Sequence, residues 1–245
     1  MKPALLLVGT VVALGLVWQA AAQAGWIDTA TVPPPDEILE SVPQLFTDEG
    51  LPQRFVTTFL EAFAAAALAV AVGVPLGLLL YRSRVAEAAF EPWVAGMAAA
   101  PLVLLYPLFL VLVGRNVGTI VLMGAVAGLP AMVLKTREGF AATRRVLLNV
   151  MRSYGFRGRQ VFWKLLVPAA VPTLANGVRL ALMFALINVV GVEFLVNFGG
   201  LGQLIADLSD RYELPAMYAA VLFVILVSMC FFVLTERLER WMRPV

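Results

Sequence analysis

Apolar residues in this 245-residue chain are gathered into long runs that are separated by polar segments. A helix needs about 20 apolar residues to cross a hydrocarbon core of about 30 Å. The pattern therefore predicts an all-α membrane protein with six transmembrane helices. The predicted spans cover residues 4–22, 57–80, 93–113, 117–134, 173–196 and 216–235. Only Gly114, Arg115 and Asn116 separate the third span from the fourth, which predicts a tight helical hairpin.

Composition supports a membrane protein and narrows the possible chemistry. The chain is 61% hydrophobic and 14% charged, whereas soluble domains are about 25% charged. It has no His and a single Cys, Cys230, inside an apolar run. An intrachain disulfide or a Cys-rich metal site is therefore excluded, and we interpret Cys230 as a packing residue.

Lys and Arg are unevenly distributed between the two sides of the predicted membrane. With the N-terminus inside, 15 of the 18 basic residues flank the spans on the cytoplasmic side, among them Lys2, Arg179, Arg240 and Arg243. Because cytoplasmic loops carry an excess of Lys and Arg, this distribution predicts that both termini are cytoplasmic. We therefore expect localisation in the bacterial inner membrane.

The chain divides into a first transmembrane helix (1–24), a linker outside the membrane (25–54) and a membrane core (55–243) with a cytoplasmic loop at 135–172. The first segment also resembles a cleavable signal peptide, but its apolar run is long enough to span. In the linker, Asp36 is predicted to cap a surface helix over residues 37–46. The apolar residues of that helix are expected to face lipid: Ile38, Leu39, Val42 and Leu45.

The loop at 135–172 is basic and internally patterned. Residues 135–164 contain eight Lys or Arg and one acid, Glu138. Such charge can bind anionic lipid, but the pattern also predicts a helix over 144–151, a break at Gly155 and Gly158, and a second short helix over 160–166 that ends before Pro168. Exposed aromatic residues supply possible interface anchors: Tyr154, Phe156, Phe162 and Trp163.

This loop resembles the EAA loop of ABC-importer permeases. Residues 149–155 are Asn-Val-Met-Arg-Ser-Tyr-Gly, and Pro168 follows Gly155 at the spacing of the family's Leu-Pro. The Glu-Ala-Ala itself is absent, because Asn149, Val150 and Met151 stand in its place. The resemblance implies a surface that docks a separate ATPase. The residues it assigns to docking are Asn149, Arg152, Ser153, Tyr154, Gly155, Phe156 and Arg157.

The resemblance extends over residues 33–243, to the nitrate, sulfonate, taurine and thiamine-precursor branch. Its marks are the glycines of residues 73–77, the spacing from Pro101 through Pro107 to Gly114, and Glu193 followed by the Gly-Leu-Gly of residues 200–202. In nitrate and sulfonate members the position similar to Glu61 is often Arg. At this position, the acid Glu61 makes the chain more similar to the thiamine-precursor permeases. This similarity argues against a simple inorganic anion as the transported solute.

The family implies a half-transporter of the type I ABC-importer permease fold. Its expected partners are two ABC ATPase subunits, a second permease subunit that is identical or a paralogue, a periplasmic substrate-binding protein and membrane lipid, without nucleic acid. The sequence has no Gly-x4-Gly-Lys-Ser/Thr motif, so it lacks a P-loop. We therefore expect no enzyme activity and no cofactor in this chain, with Mg-ATP bound to the partner ATPase.

Ionisable groups inside a bilayer cost about 2.5–3.5 kcal/mol each and are candidates for function. Glu61 and Glu193 are such groups, while Asn188 is polar and Tyr106 lies between two prolines that free backbone carbonyls. We therefore assign Glu61, Tyr106, Asn188 and Glu193 to the translocation path of a small organic molecule or anion. The alternative for both acids is snorkelling to the outer surface or pairing with Arg54, Arg115 or another chain.

Two glycine-containing segments have open interpretations. In the second span, the small residues Ala62, Ala66, Ala69, Gly73 and Gly77 lie at helical spacing, which favours packing within the subunit or between subunits. Residues 199–202 are predicted to be too rich in glycine for helix. They either form a re-entrant gate or a plain loop before a short helix over 204–208.

Two other functions compete with an importer permease. One is an ATPase-independent channel or a structural polytopic membrane protein, which the sequence leaves open. The other is a membrane-embedded enzyme, which would need a cluster of carboxylates, His or Cys inside the membrane, and the sequence contains no such cluster.

Overall fold

The computed structural model describes the backbone of residues 3–242 and the side chains of residue 6 and residues 9–237. Lys2 and Arg243 lie outside the described residues, and the side chain of Arg240 is also outside. Every regular element in the described part is helical. The α-helices are α1 Pro3–Gln23, α2 Pro35–Thr47, α3 Leu51–Arg82, α4 Arg84–Ala99, α5 Tyr106–Val113, α6 Val117–Ala141, α7 Arg145–Ser153, α8 Gly158–Val161, α9 Val167–Val196, α10 Gly200–Asp210 and α11 Leu214–Met242.

Helices α3, α6 and α9 form the centre of the molecule, and small residues let their backbones approach closely. A Cβ added at Gly73 would lie 2.8 Å from Met132 of α6, and one at Gly77 would lie 2.5 Å from Thr136. On the other side of α6, a Cβ at Gly128 would meet the backbone of Ala181 in α9. The small-residue stripe of α3 therefore packs within the subunit, as its spacing indicates.

Four helices of the described part are long and apolar enough to cross a membrane: α3, α6, α9 and α11. The predicted third span is not one straight helix. Helices α4 and α5 are joined by a 3-10 turn, Leu102–Leu105, and their axes are bent by 95°. The bend follows from Pro101, which disfavours helix at Ala100 and removes an N–H donor. Counted as one broken span, this pair gives five crossings.

Helix α2 does not lie on lipid with all its apolar residues, so that prediction is wrong. Ile38 and Leu45 are 2% and 1% exposed and pack with Leu51, Leu204 and Leu208, while only Leu39 stays largely exposed. Asp36 is not the cap either. The N-cap residue is Pro34, and Asp36 lies in the first turn of the helix. The Asp36 carboxylate accepts a hydrogen bond from Gln19 Nε2 of α1 at 2.8 Å. The helix is amphipathic, but protein rather than lipid covers its apolar face.

The second helix of the 135–172 loop does not end before Pro168. Helix α8 continues through a π-helical segment, Phe162–Leu166, directly into α9. The N–H of Val167 bonds the carbonyl of Phe162, five residues back, and this wider register precedes the proline that cannot donate. On its C-terminal side, the loop is therefore continuous with the central helix α9.

Helix α10 begins at Gly200, so residues 200–202 are helical rather than a flexible loop. Gly200 has φ +75°, and a Cβ there would collide with the carboxylate of Glu193. A Cβ at Gly202 would collide with the carbonyl of Val190. The glycines are therefore needed for close approach to α9, and not for flexibility.

Candidate functional site

The predicted docking residues form one exposed helix–turn–helix, which we call the docking element (residues 144–161). Helix α7 ends in a Schellman motif: the N–H of Phe156 bonds the carbonyl of Met151 at 3.1 Å, and the N–H of Gly155 bonds that of Arg152 at 2.9 Å. Gly155 has φ +76°, which suits glycine at this position. The N–H of Arg157 then donates to Gln160 Oε1 at 2.8 Å and starts α8.

The outer face of the docking element is apolar as well as basic. Val146, Leu147 and Val150 of α7 are 69%, 45% and 45% exposed, and Tyr154 at the turn is 78% exposed. The candidates Asn149, Arg152, Ser153, Gly155 and Arg157 are also exposed, while Phe156 is half-buried. Exposed apolar patches of this kind mark surfaces for another protein or a membrane.

Phe162 does not belong to the exposed surface with Tyr154. Its ring stacks on Phe140 of α6 with centroids 5.7 Å apart and planes 17° apart, and Phe140 lies 5.6 Å from Tyr81 of α3. We call these three rings the aromatic stack. The guanidinium of Arg82 lies 5.2 Å from the centroid of Phe162. The stack thus ties the docking element to α3, α6 and α9, which sequence reasoning missed because the three rings are far apart in the chain.

A buried polar cluster lies at the opposite end of the bundle. Glu193 of α9 is fully buried, and its two carboxylate oxygens accept from the hydroxyl of Thr58 at 2.8 and 2.9 Å. The N–H of Gly202 donates to Glu193 Oε2 at 2.8 Å, and the N–H of Leu201 donates to Thr58 Oγ1 at 2.8 Å. We call this arrangement the α10 anchor.

In the α10 anchor, side chains of α3 and α9 accept hydrogen bonds from N–H groups in the first turn of α10. The first N–H groups of a helix have no partner within it, and they favour negative charge. Glu61, 5% exposed and one turn after Thr58, places its carboxyl beside that of Glu193. The arginines considered as partners bond elsewhere: Arg54 pairs with Asp207 at 3.1 Å, and Arg115 donates to the carbonyl of Asn197 at 2.7 Å.

The other two translocation candidates lie near the bend between α4 and α5. Tyr106 is partly buried against the central cluster and begins α5. Asn188 Nδ2 donates to the carbonyl of Phe184 at 3.1 Å, whereas its Oδ1 is buried without a partner among the described residues. Asn188 lines a cavity of about 90 Å³ together with Ala100 and Pro130. The cavity thus lies beside the break at the end of α4 and contains one acceptor without a partner among the described residues.

An ion-pair cluster holds α4 against α6. Arg137 bonds Glu87, and its guanidinium lies 3.6 Å from Glu91, one turn further along α4. These side chains are about one-third exposed, so the pairs orient α4 more than they stabilise the fold. The pairs fix the end of α4 that lies nearest the docking element.

An all-helical core that carries an exposed helix–turn–helix between two long central helices is the architecture of an ABC-importer permease subunit. The family model described as "Binding-protein-dependent transport system inner membrane component" matches residues 69–244. The chain belongs to this family. It is therefore an inner-membrane permease subunit, of a family whose ATPase and substrate-binding protein are separate partners.

Relatives agree with this assignment. The chain is 28% identical over 213 residues to the "Probable ABC transporter permease protein" of Brucella melitensis, covering 85% of this chain and 87% of that one. It is 22% identical over 242 residues to the taurine transport system permease protein of Escherichia coli, covering 97% and 88%. It is 25% identical over 178 residues to the formylaminopyrimidine transport permease protein of Halalkalibacterium halodurans, covering 73% and 71%.

A solved structure has the same fold. The permease chain of the MetNI methionine ABC transporter, in an inward-facing conformation, superposes with a TM-score of 0.67 at 20% identity. The match covers 82% of this chain and 99% of that one. At this identity the likeness establishes the type I importer fold and nothing about the solute.

Proposed function

We propose that this chain is one half of the translocation path of an ATP-driven importer, with six spans and both termini in the cytoplasm. Helix α1 would supply the sixth crossing, beside the four long helices and the bent pair of α4 and α5. The asymmetry of Lys and Arg supports this orientation. In it the docking element is cytoplasmic and the α10 anchor lies in the outer part of the membrane.

The docking element would bind one of two ATPase subunits, which carry Mg-ATP, while this chain itself catalyses no reaction. The observation that supports this most directly is the combination of an exposed apolar face with the partly buried aromatic stack behind it. A movement imposed on Tyr154 would pass through Phe162 and Phe140 to α3, α6 and α9. ATP binding would then favour one conformation of the bundle through the element's different affinities for two ATPase states.

The other half of the path would be a second permease subunit, identical or a paralogue. Asn149 stands where the family's loop has Glu, and this departure favours a paralogue that carries the usual acid. A periplasmic binding protein would deliver the solute at the outer face. The named relatives support a small organic molecule or anion, since they transport taurine and formylaminopyrimidine by name.

Of the four path candidates, Tyr106 lies at the break between α4 and α5, and Asn188 of α9 lines a cavity beside that break; we propose that these two contact the solute. The unpartnered Oδ1 of Asn188 would accept a hydrogen bond from an N–H or O–H group of the solute. Glu193 would act indirectly, because it holds α10, which closes over the outer end of the bundle, and Glu61 would act through the adjoining carboxyl of Glu193.

Replacing Tyr154 with Asp tests the proposed docking. The substitution puts a charge into the exposed apolar face without altering the turn, so the ATPase is expected to dissociate and ATP-driven uptake to fall by at least about tenfold, equivalent to about 1.4 kcal/mol of lost interface energy. Co-purification with the ATPase and uptake into vesicles measure both effects.

The matched control is Tyr212→Asp, since Tyr212 is 85% exposed and lies on the loop between α10 and α11. It should leave both measurements unchanged. If Tyr154→Asp keeps the ATPase bound and uptake normal, the docking surface is wrong. If uptake proceeds without any ATPase, the chain is a channel.

A further inference from the structure

A large apolar cavity lies between α9, α3 and α11, on the side of the molecule that carries the docking element. Its volume is about 780 Å³, within the range of about 300–1,000 Å³ that is typical of small-molecule sites. Phe63 and Phe231 line the cavity away from the docking element, and Phe162 and Trp163 line it next to that element. The cavity therefore runs from the middle of the spans towards the docking element.

The wall of this cavity is almost entirely hydrocarbon. Among the described lining residues, Arg179 and Thr235 are the polar ones, and the Thr235 hydroxyl donates to the carbonyls of Phe231 and Phe232 at 2.9 Å. The Arg179 guanidinium lies 5.4 Å from the Phe232 ring centroid. A polar solute would gain few hydrogen bonds here, whereas a hydrocarbon chain would be well matched.

Positive charge is concentrated where the cavity reaches the docking element. Arg82 lies over Phe162, one of the lining rings. Lys164 follows Trp163 in the chain, and its ammonium lies 5.4 Å from the Phe156 ring centroid. Basic pockets between transmembrane helices on the cytoplasmic side bind anionic head groups. Arg82 and Lys164 therefore place two positive charges beside this end of the cavity, whose lining is largely apolar.

We propose that this cavity binds an anionic phospholipid, with an acyl chain in the apolar interior and the phosphate beside Arg82 and Lys164. The chain would lie against Phe162 and so against the aromatic stack. Its presence would support the position of the docking element relative to α3 and α6. The proposal concerns a lipid site and does not depend on which ATPase or solute the transporter uses.

Trp163 is a built-in reporter, because it lines the cavity and is 61% exposed. The full chain is reconstituted into mixed vesicles in which either phosphatidylglycerol or phosphatidylcholine carries brominated acyl chains that quench Trp fluorescence. The contribution of Trp163 is the difference between the wild type and Trp163→Phe. We expect Trp163 to be quenched more strongly by brominated phosphatidylglycerol than by brominated phosphatidylcholine at equal mole fraction.

Arg82→Gln tests the head-group contact. The preference for phosphatidylglycerol is expected to fall about fivefold, the factor that corresponds to about 1 kcal/mol for one basic residue near an anionic surface. The control is Arg145→Gln, an exposed residue of the docking element that does not line the cavity. An equal loss in both variants would mean that general surface charge explains the preference for phosphatidylglycerol, and it would overturn the proposed lipid site.

Ala175→Phe tests the acyl-chain contact by filling the cavity. It should remove most of the lipid quenching of Trp163. Ile187→Phe adds the same ring to the exposed face of α9 and should not. Two results from the comparison of the wild type with Trp163→Phe would by themselves overturn the proposal. Equal quenching by the two lipids means that bulk bilayer surrounds Trp163, and no quenching by either means that a second copy of the chain fills the cavity.

Discussion

Glu193 is an ionisable residue whose buried position is explained by its contacts. Its carboxyl oxygens accept hydrogen bonds from the Thr58 hydroxyl and the Gly202 N–H, so they satisfy polar groups at the start of α10. Buried carboxyl groups without such partners are costly. The residue therefore has a structural role that holds independently of any contact with the solute.

Thr58→Val removes the central hydroxyl of the α10 anchor while keeping the side-chain shape. The Leu201 N–H and the Glu193 carboxylate each lose a partner, which costs about 1–3 kcal/mol per buried group. We expect a clearly lower thermal unfolding midpoint in detergent. Thr57→Val is the control, because the Thr57 hydroxyl bonds only the Gln53 carbonyl of its own helix. Equal midpoints for the two variants would contradict the anchor.

Gly200 is expected to tolerate Ala far less well than Gly50 does. Both glycines have left-handed backbones, with φ +75° and +61°, which costs an L-residue about 1–2 kcal/mol. At Gly50 nothing lies within 4 Å of an added Cβ, whereas at Gly200 the added Cβ would collide with Glu193. Comparing the unfolding midpoints of Gly200→Ala and Gly50→Ala separates the two effects. Similar losses would mean that α10 is not tightly held.

At the scale of elements, hydrophobic pattern was enough to locate the long helices but not their partners. The ends of α3, α6 and α9 lie within about two turns of the ends of the predicted spans, because a long apolar run is a strong signal for a membrane helix. The prediction that the apolar face of α2 contacts lipid was wrong. An amphipathic helix has the same sequence pattern whether lipid or protein residues such as Leu204 and Leu208 cover its apolar face. Pro101 and Pro107 indicated an interruption of the helix near Tyr106, but not the size of the bend at Pro101.

That the docking residues bind an ATPase remains a prediction. The structure adds the aromatic stack that packs behind them. Gly155 located the turn between α7 and α8, because its backbone has a positive φ that favours glycine. The aromatic stack was not predictable in the same way. Tyr81, Phe140 and Phe162 share no spacing in the chain, and only the packing of three helix ends brings them together.

Phe162→Leu is expected to weaken the connection between docking and transport. It keeps an apolar side chain but removes the ring contact with Phe140, which contributes about 0.5–1.5 kcal/mol. The ATPase should still bind and hydrolyse ATP, while the number of solute molecules transported per ATP falls. Phe90→Leu, on the exposed side of α4, should leave that ratio unchanged. A normal ratio for Phe162→Leu would exclude the stack as the transmission path.

At the scale of the whole molecule, the described chain has an apolar bundle with two differently built ends. One end carries the exposed docking element and most of the basic residues. The other is closed by α2 and α10 and fastened by ion pairs such as Arg54 with Asp207 and Arg211 with Glu49. This polarity fits a permease in which energy enters at one end and solute at the other.

The most direct test of this account is a cross-link between the docking element and the ATPase. In a Cys230→Ser background, Arg152→Cys places the only thiol on the exposed α7, and Tyr212→Cys places it at the opposite end. With a short thiol-to-amine cross-linker in membranes that contain the whole transporter, Arg152→Cys is expected to link to the ATPase in a yield that changes with ATP, and Tyr212→Cys to give no such product. A link from Tyr212→Cys, or none from Arg152→Cys, would contradict the account.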